Sequence, residues 1–82
     1  MGYHLAKIEK GVVGEVSKIR EEYEEFLDAH QQTPVMELVE LSDLIGAIEA
    51  YIERRYQGTV TLVDLIDMKN CTRRAFEDGS RK

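Results

Sequence analysis

Between Arg20 and Arg54 the chain carries ten acidic residues and no lysine or arginine. They are Glu21, Glu22, Glu24, Glu25, Asp28, Glu37, Glu40, Asp43, Glu49 and Glu53. Solvated helices usually mix the two signs, because Glu and Lys at i,i+4 support each other and like charges repel. A stretch this acidic calls for a compensating cation. The acids are also ordered. Glu21, Glu22, Glu24 and Glu25 lie on one segment of apolar periodicity, and Glu40 and Asp43 on the next. Two carboxylates three residues apart on each of two helices form a cage of oxygen ligands suited to a hard divalent cation.

Length sets a second constraint. The 82 residues read as one domain, residues 1–82, too short to bury a large core. Cys71 is the only cysteine, so no disulfide can compensate, and self-association is the expected remedy. The lone cysteine and the lack of a signal-like or long apolar run point to a soluble, cytoplasmic chain with no membrane partner. The net charge of −5 is unevenly spread, with basic ends flanking the acidic centre. That centre repels phosphate, which argues against polymeric nucleic acid as a partner. A small phosphorylated ligand remains compatible, provided a metal neutralises the middle.

Periodicity predicts an all-α fold of three helices behind a short extended lead-in over residues 3–10. Val12, Val16, Ile19, Tyr23 and Phe26 recur at helical spacing and predict a first helix from about Val12 to His30. Thr33 before Pro34 reads as an N-cap with proline at the first helical position. That second helix should run to about Tyr56, with Leu38, Leu41, Ile45, Ile48 and Ile52 on one face and Gln57-Gly58-Thr59 ending it. Thr61 with Asp64 reads as the cap of a third helix reaching about Asp78. Short loops make neighbouring helices antiparallel.

Helical geometry then sorts the acids. With Ile19 at the centre of the first stripe, Glu22 lies roughly 60° and Glu25 about 120° to one side, sharing that flank with Glu15 and Lys18. Glu21 and Glu24 fall on the outer half. On the second helix Glu37 falls inside the apolar sector about Leu41, Glu40 at its edge and Asp43 beyond. A carboxylate on a core-facing stripe is costly unless paired or metal-bound. On the third helix Lys69 and Arg73 share the face of Leu62, Leu65, Ile66 and Phe76, while Arg74 points away. Inward cations suggest contact with an anionic ligand, and snorkelling of their charged heads is the competing reading. His4 and His30 sit in no ligand spacing and read as surface or capping residues. Gly46 within the second helix costs about 1 kcal/mol against alanine, which close helix packing or ligand approach would justify. An EF-hand is excluded, since its ligands sit on a loop.

The spacing Glu21-Glu22-x-x-Glu25, fourteen intervening residues, then Glu40-x-x-Asp43 resembles the signature of MazG-like nucleoside triphosphate pyrophosphohydrolases. The resemblance covers most of residues 14–56, and the basic tail resembles less specifically the third helix of the same families. It implies that Glu22, Glu25, Glu40 and Asp43 hold Mg2+, for which Mn2+ would substitute. It implies hydrolysis of a nucleoside triphosphate between its α- and β-phosphates, giving a nucleoside or deoxynucleoside monophosphate and pyrophosphate. It also implies a homo-oligomer, a dimer or tetramer, with the nucleotide near the subunit contact. Within that frame Glu21 or Glu37 would orient the attacking water, and Lys69 and Arg73 would stabilise the departing pyrophosphate. Phosphoribosyl-ATP pyrophosphohydrolases share the architecture, but the histidine expected soon after their second-helix Asp is absent, since Leu44-Ile45-Gly46 follows Asp43. A non-enzymatic helical interaction module and a metal-binding protein without catalysis are the alternatives.

Overall fold

The computed structural model describes residues 7–77, apart from the side chain of Phe76. Three helices follow one another: α1 over Val16–Ala29, α2 over Pro34–Tyr56 and α3 over Leu62–Glu77, with no strand among the described residues. The chain is all-α, as its periodicity predicts. His4 and the first half of the extended lead-in, residues 3–6, lie outside the described residues; residues 7–10 carry no regular structure.

The helix boundaries follow local chemistry. Thr33 Oγ1 accepts the Met36 N–H at 3.2 Å, and Pro34 opens α2 where no N–H is needed. Gln57, in the left-handed conformation at φ 49°, ends it. The Thr61 backbone N–H donates to Asp64 Oδ2 at 2.9 Å and Thr61 Oγ1 accepts the Asp64 N–H at 3.4 Å, so the predicted reciprocal cap of α3 forms. One boundary differs. The first helix begins at Val16 rather than Val12, because Gly14 takes φ +91° and the preceding residues turn back over the helix. A Cβ at Gly14 would lie 2.9 Å from Arg54 Cδ, and one at Gly11 would lie 2.2 Å from the Ser17 carbonyl oxygen. Both glycines are needed for this turn.

α1 and α2 form a tightly packed hairpin, and α3 touches α2 alone. Arg54 Nη1, near the end of α2, donates to Glu15 Oε2 at the start of α1 over 3.3 Å, as an antiparallel pair requires. The face that each helix buries is only partly the one the apolar stripe predicts, with Ile52 buried as expected. α1 buries Glu21, Glu22, Glu25, Asp28 and Ala29; α2 buries Glu40, Ala47 and Ile52. Only Ala29, Ala47 and Ile52 are buried apolar residues among those described. Meanwhile Val16, Tyr23 and Leu27 of α1, Val35, Leu38 and Ile45 of α2, and Val63, Ile66 and Met68 of α3 are exposed, Val35 and Leu38 by about two-thirds or more at 70% and 67%. The hairpin turns Glu21, Glu22, Glu25, Asp28 and Glu40 inward and leaves much of its apolar stripes outside.

Candidate metal centre

Five carboxylates meet between α1 and α2. One carboxylate oxygen from each of Glu21, Glu22 and Glu25 lies within 4.8 Å of the others, and the same holds for Glu22, Glu40 and Asp43. Glu22 belongs to both groups and joins the two helices. The i,i+3 spacings on each helix bring these oxygens together, since residues three and four apart share a face. Glu40 is 1% and Glu21 2% exposed, whereas Asp43 opens to solvent.

Glu21 is displaced from its expected place. The helical-wheel reading sets it on the outer half of the first helix, but it is buried, because the turn over residues 10–14 covers it. Its Oε1 accepts the Gly11 N–H at 2.8 Å and a bond from Lys18 Nζ at 3.1 Å, and Lys10 Nζ reaches Oε2 at 3.5 Å. Burial works against its charge, but the Gly11 amide and Lys18 prevail and hold its carboxyl down to about 2. Lys18 also pairs with Glu22 Oε2 at 2.8 Å. That bond is the main reason the Lys18 ammonium holds its proton more tightly than an ordinary lysine. Glu22 Oε1 is buried and accepts no hydrogen bond.

Glu25 behaves oppositely to Glu21. Burial first, then the charges of Glu22, Glu21 and Glu40 and a hydrogen bond with Glu21, push its carboxyl up to about 8. Near neutral pH it holds a proton and shares it with Glu21. Two carboxyls one turn apart with affinities pushed in opposite directions mark a cluster short of positive charge.

The remaining expected site residues lie elsewhere. Glu37 is half-buried at the start of α2, and its Oε2 pairs with Nδ1 of the exposed His30 across the turn between the helices. It belongs to neither group of converging carboxylates. Lys69 and Arg73 are not brought to the acids within the protomer, since α3 makes no contact with α1. Lys69 lines an apolar groove with Ile45, Ile48, Leu65 and Ile66. Arg73 is exposed and donates to Glu77 Oε2 at 2.8 Å. Arg74, expected to point the other way, lines the same shallow surface concavity as Arg73, together with Asp67, Asn70 and Cys71. Lys69 keeps the face of Leu62, Leu65 and Ile66, but that face meets α2 across an open groove and not the acids, and the wheel's separation of Arg73 from Arg74 does not hold.

Two residues noted in the sequence without being assigned to the site lie in or beside it. Asp28 is buried at the end of α1 and accepts from Gln32 Nε2 at 3.1 Å. Lys18 is the cation inside the cluster, and its i,i+3 and i,i+4 spacing to Glu21 and Glu22 was the available signal. Beside it a cavity of about 390 Å3 opens among Lys18, Glu22, Ser42, Asp43, Gly46 and Ala47. Gly46 faces no packed neighbour, because a Cβ there would meet nothing within 4 Å. Close packing within the protomer therefore does not account for it. No described helix is long and apolar enough to cross a membrane.

Comparison of the chain with protein-family models, with curated proteins and with solved structures finds no match.

Proposed function

We propose that the chain is a Mg2+-dependent nucleoside triphosphate pyrophosphohydrolase, cleaving between the α- and β-phosphates to give a monophosphate and pyrophosphate. The observation that carries this reading is the convergence of buried carboxylate oxygens from two helices, with Glu22 common to both groups. The donor set fits the ion. Magnesium takes oxygen ligands and commonly keeps waters and substrate phosphates in its shell. Glu22 Oε1, buried without a hydrogen bond, is an anionic oxygen suited to a cation. Glu22, Glu25, Glu40 and Asp43 would hold the metal, the last from the solvent side where a triphosphate would arrive. Bound there, Mg2+ would supply charge neutralisation and a water of lowered pKa. Glu21, anchored by the Gly11 amide and Lys18, supplies a fixed acceptor beside the cluster and orients a water. Glu37, tied to His30, serves the turn instead.

The reading includes self-association, as a dimer or tetramer, because exposed apolar side chains on all three helices need a cover. The same exposed faces favour a second reading, a helical docking module without catalysis. Pyrophosphate release separates the two. Incubation with a panel of ribo- and deoxynucleoside triphosphates should release pyrophosphate with Mg2+ and not with chelator. Glu40→Gln, which keeps the side-chain volume, should bind Mn2+ at least about tenfold more weakly, by the scale on which disturbed metal sites lose affinity, and lose turnover while staying helical. Wild-type turnover in Glu40→Gln, or no release from any nucleotide, refutes the reading.

A further inference from the structure

Lys18 sits where the two halves of the site meet. Its ammonium lies 3.1 Å from Glu21 Oε1 and 2.8 Å from Glu22 Oε2, with the side chain 25% exposed. Among the described residues it is also the only cation lining the cavity beside Ser42, Asp43 and Gly46. Glu22 lines that cavity as well, and its Oε1 is the buried oxygen that accepts no hydrogen bond. Lys69 faces an apolar groove and Arg73 an exposed partner on its own helix. A triphosphate approaching five carboxylates needs positive charge from the protein as well as from metal, and a lysine ammonium on a flexible stem meets a phosphate oxygen as a point charge. The open floor at Gly46 leaves room for the ligand next to that ammonium.

We propose that Lys18 is the phosphate-binding cation of this site: in the metal-free chain it neutralises Glu21 and Glu22, and with a divalent cation on the carboxylates it donates to a phosphate oxygen of a nucleoside triphosphate in the cavity beside Ser42 and Gly46. The proposal rests on the reading of the carboxylates as a magnesium site. It gives Lys18 two roles of opposite sign. As an ammonium on Glu21 and Glu22 it competes with a divalent cation for the same oxygens. As a phosphate donor it supports the nucleotide.

Calorimetry separates the roles. Mn2+ alone is titrated into wild type, Lys18→Met and Lys18→Arg. A nonhydrolysable triphosphate with a methylene bridge between its α- and β-phosphates is then titrated at saturating Mn2+. Lys18→Met should bind Mn2+ alone several-fold more tightly and the analogue about 10–100-fold more weakly, the range for one hydrogen bond to a charged group. Lys18→Arg should keep analogue binding within about tenfold of wild type. A merely structural lysine moves both affinities in the same direction or neither, and that result overturns the proposal. Analogue binding by Lys18→Met equal to wild type overturns it too, while leaving the metal reading intact. A wild-type chain that binds neither Mn2+ nor the analogue sinks the metal reading, and this proposal with it. Circular dichroism checks folding, and Lys18→Gln, read by the same criteria, replaces Lys18→Met if the latter unfolds.

Discussion

Glu25→Gln should make the metal-free protein more stable, and increasingly so as pH rises. In the folded chain the Glu25 carboxyl titrates at about 8, against an ordinary value of 4.5. Below 4.5 folded and unfolded chains both carry its proton, and the residue costs nothing. Above that value the unfolded chain releases the proton and the folded chain keeps it, so stability falls with rising pH until the folded group ionises near 8. The slope is roughly 1.4 kcal/mol per pH unit, so the loss between about pH 6 and pH 9 is at most about 3 kcal/mol. Glutamine has no proton to lose, and its amide can donate to Glu21 in place of the carboxylic acid. The gap in melting temperature between variant and wild type should therefore widen by roughly 10–20 °C over that range, at the usual sensitivity of a domain this size.

The assay is thermal unfolding followed by circular dichroism in the presence of chelator at several pH values. Parallel pH profiles for the two proteins would refute the argument, because they would mean that Glu25 ionises normally in the folded state. Glu21 contributes with the opposite sign. Its carboxyl is depressed to about 2, so its stabilisation is present above the ordinary 4.5 and is lost only as pH falls towards 2. The two groups do not mask each other, since their windows lie on opposite sides of 4.5.

Arg73→Ala, which breaks an exposed ion pair with Glu77, and Arg74→Ala, which removes an exposed contact with Cys71, should each change stability by less than about 1 kcal/mol, and each should bind the nonhydrolysable analogue within about threefold of wild type. A tenfold or larger loss confined to Arg73→Ala would mean that this arginine reaches phosphate from a neighbouring subunit. Ile45→Asp places a charge on the exposed groove between α2 and α3 and should raise the dissociation constant of the oligomer by at least about tenfold; sedimentation of wild type as a folded monomer at micromolar concentration would contradict the premise.

The helices and their ends were legible because they are local. Thr33-Pro34, Thr61 with Asp64, and Gln57-Gly58 satisfy or terminate backbone hydrogen bonds within a few residues, and no distant contact is needed to read them. The membership of the carboxylate cluster was legible for a related reason. The i,i+3 spacing within each helix groups Glu22 with Glu25 and Glu40 with Asp43, whatever packs above them. Glu21 was not legible as a buried group, because its cover is a turn built by Gly11 and Gly14, which a helical wheel continued back to Val12 conceals. Lys69 and Arg73 lie on a helix that contacts α2 and not α1, a placement that no wheel of α3 contains. A wheel reports which residues share a face; it does not say what the face meets.

That distinction has a consequence for the site. In an ordinary amphipathic hairpin the apolar stripe seals the helix pair and acids lie outside. Here α1 and α2 meet along Glu22, Glu25 and Glu40, and their exposed apolar residues Tyr23, Leu27, Leu38 and Ile45 remain for other contacts. The proposed cation binding and self-association would therefore use different faces of the same two helices. Neutralising the acids should tighten the hairpin itself, because the repulsion relieved lies between α1 and α2. Covering the apolar faces should add stability without altering the carboxylate geometry. The two effects should then be close to additive, as they are for groups that share no partner. Ile45→Asp should lower the melting temperature yet leave the shift produced by saturating Mn2+ nearly unchanged. If the variant loses the Mn2+ shift along with the oligomer, the metal site is completed by a second subunit, and the hairpin alone is not the binding unit.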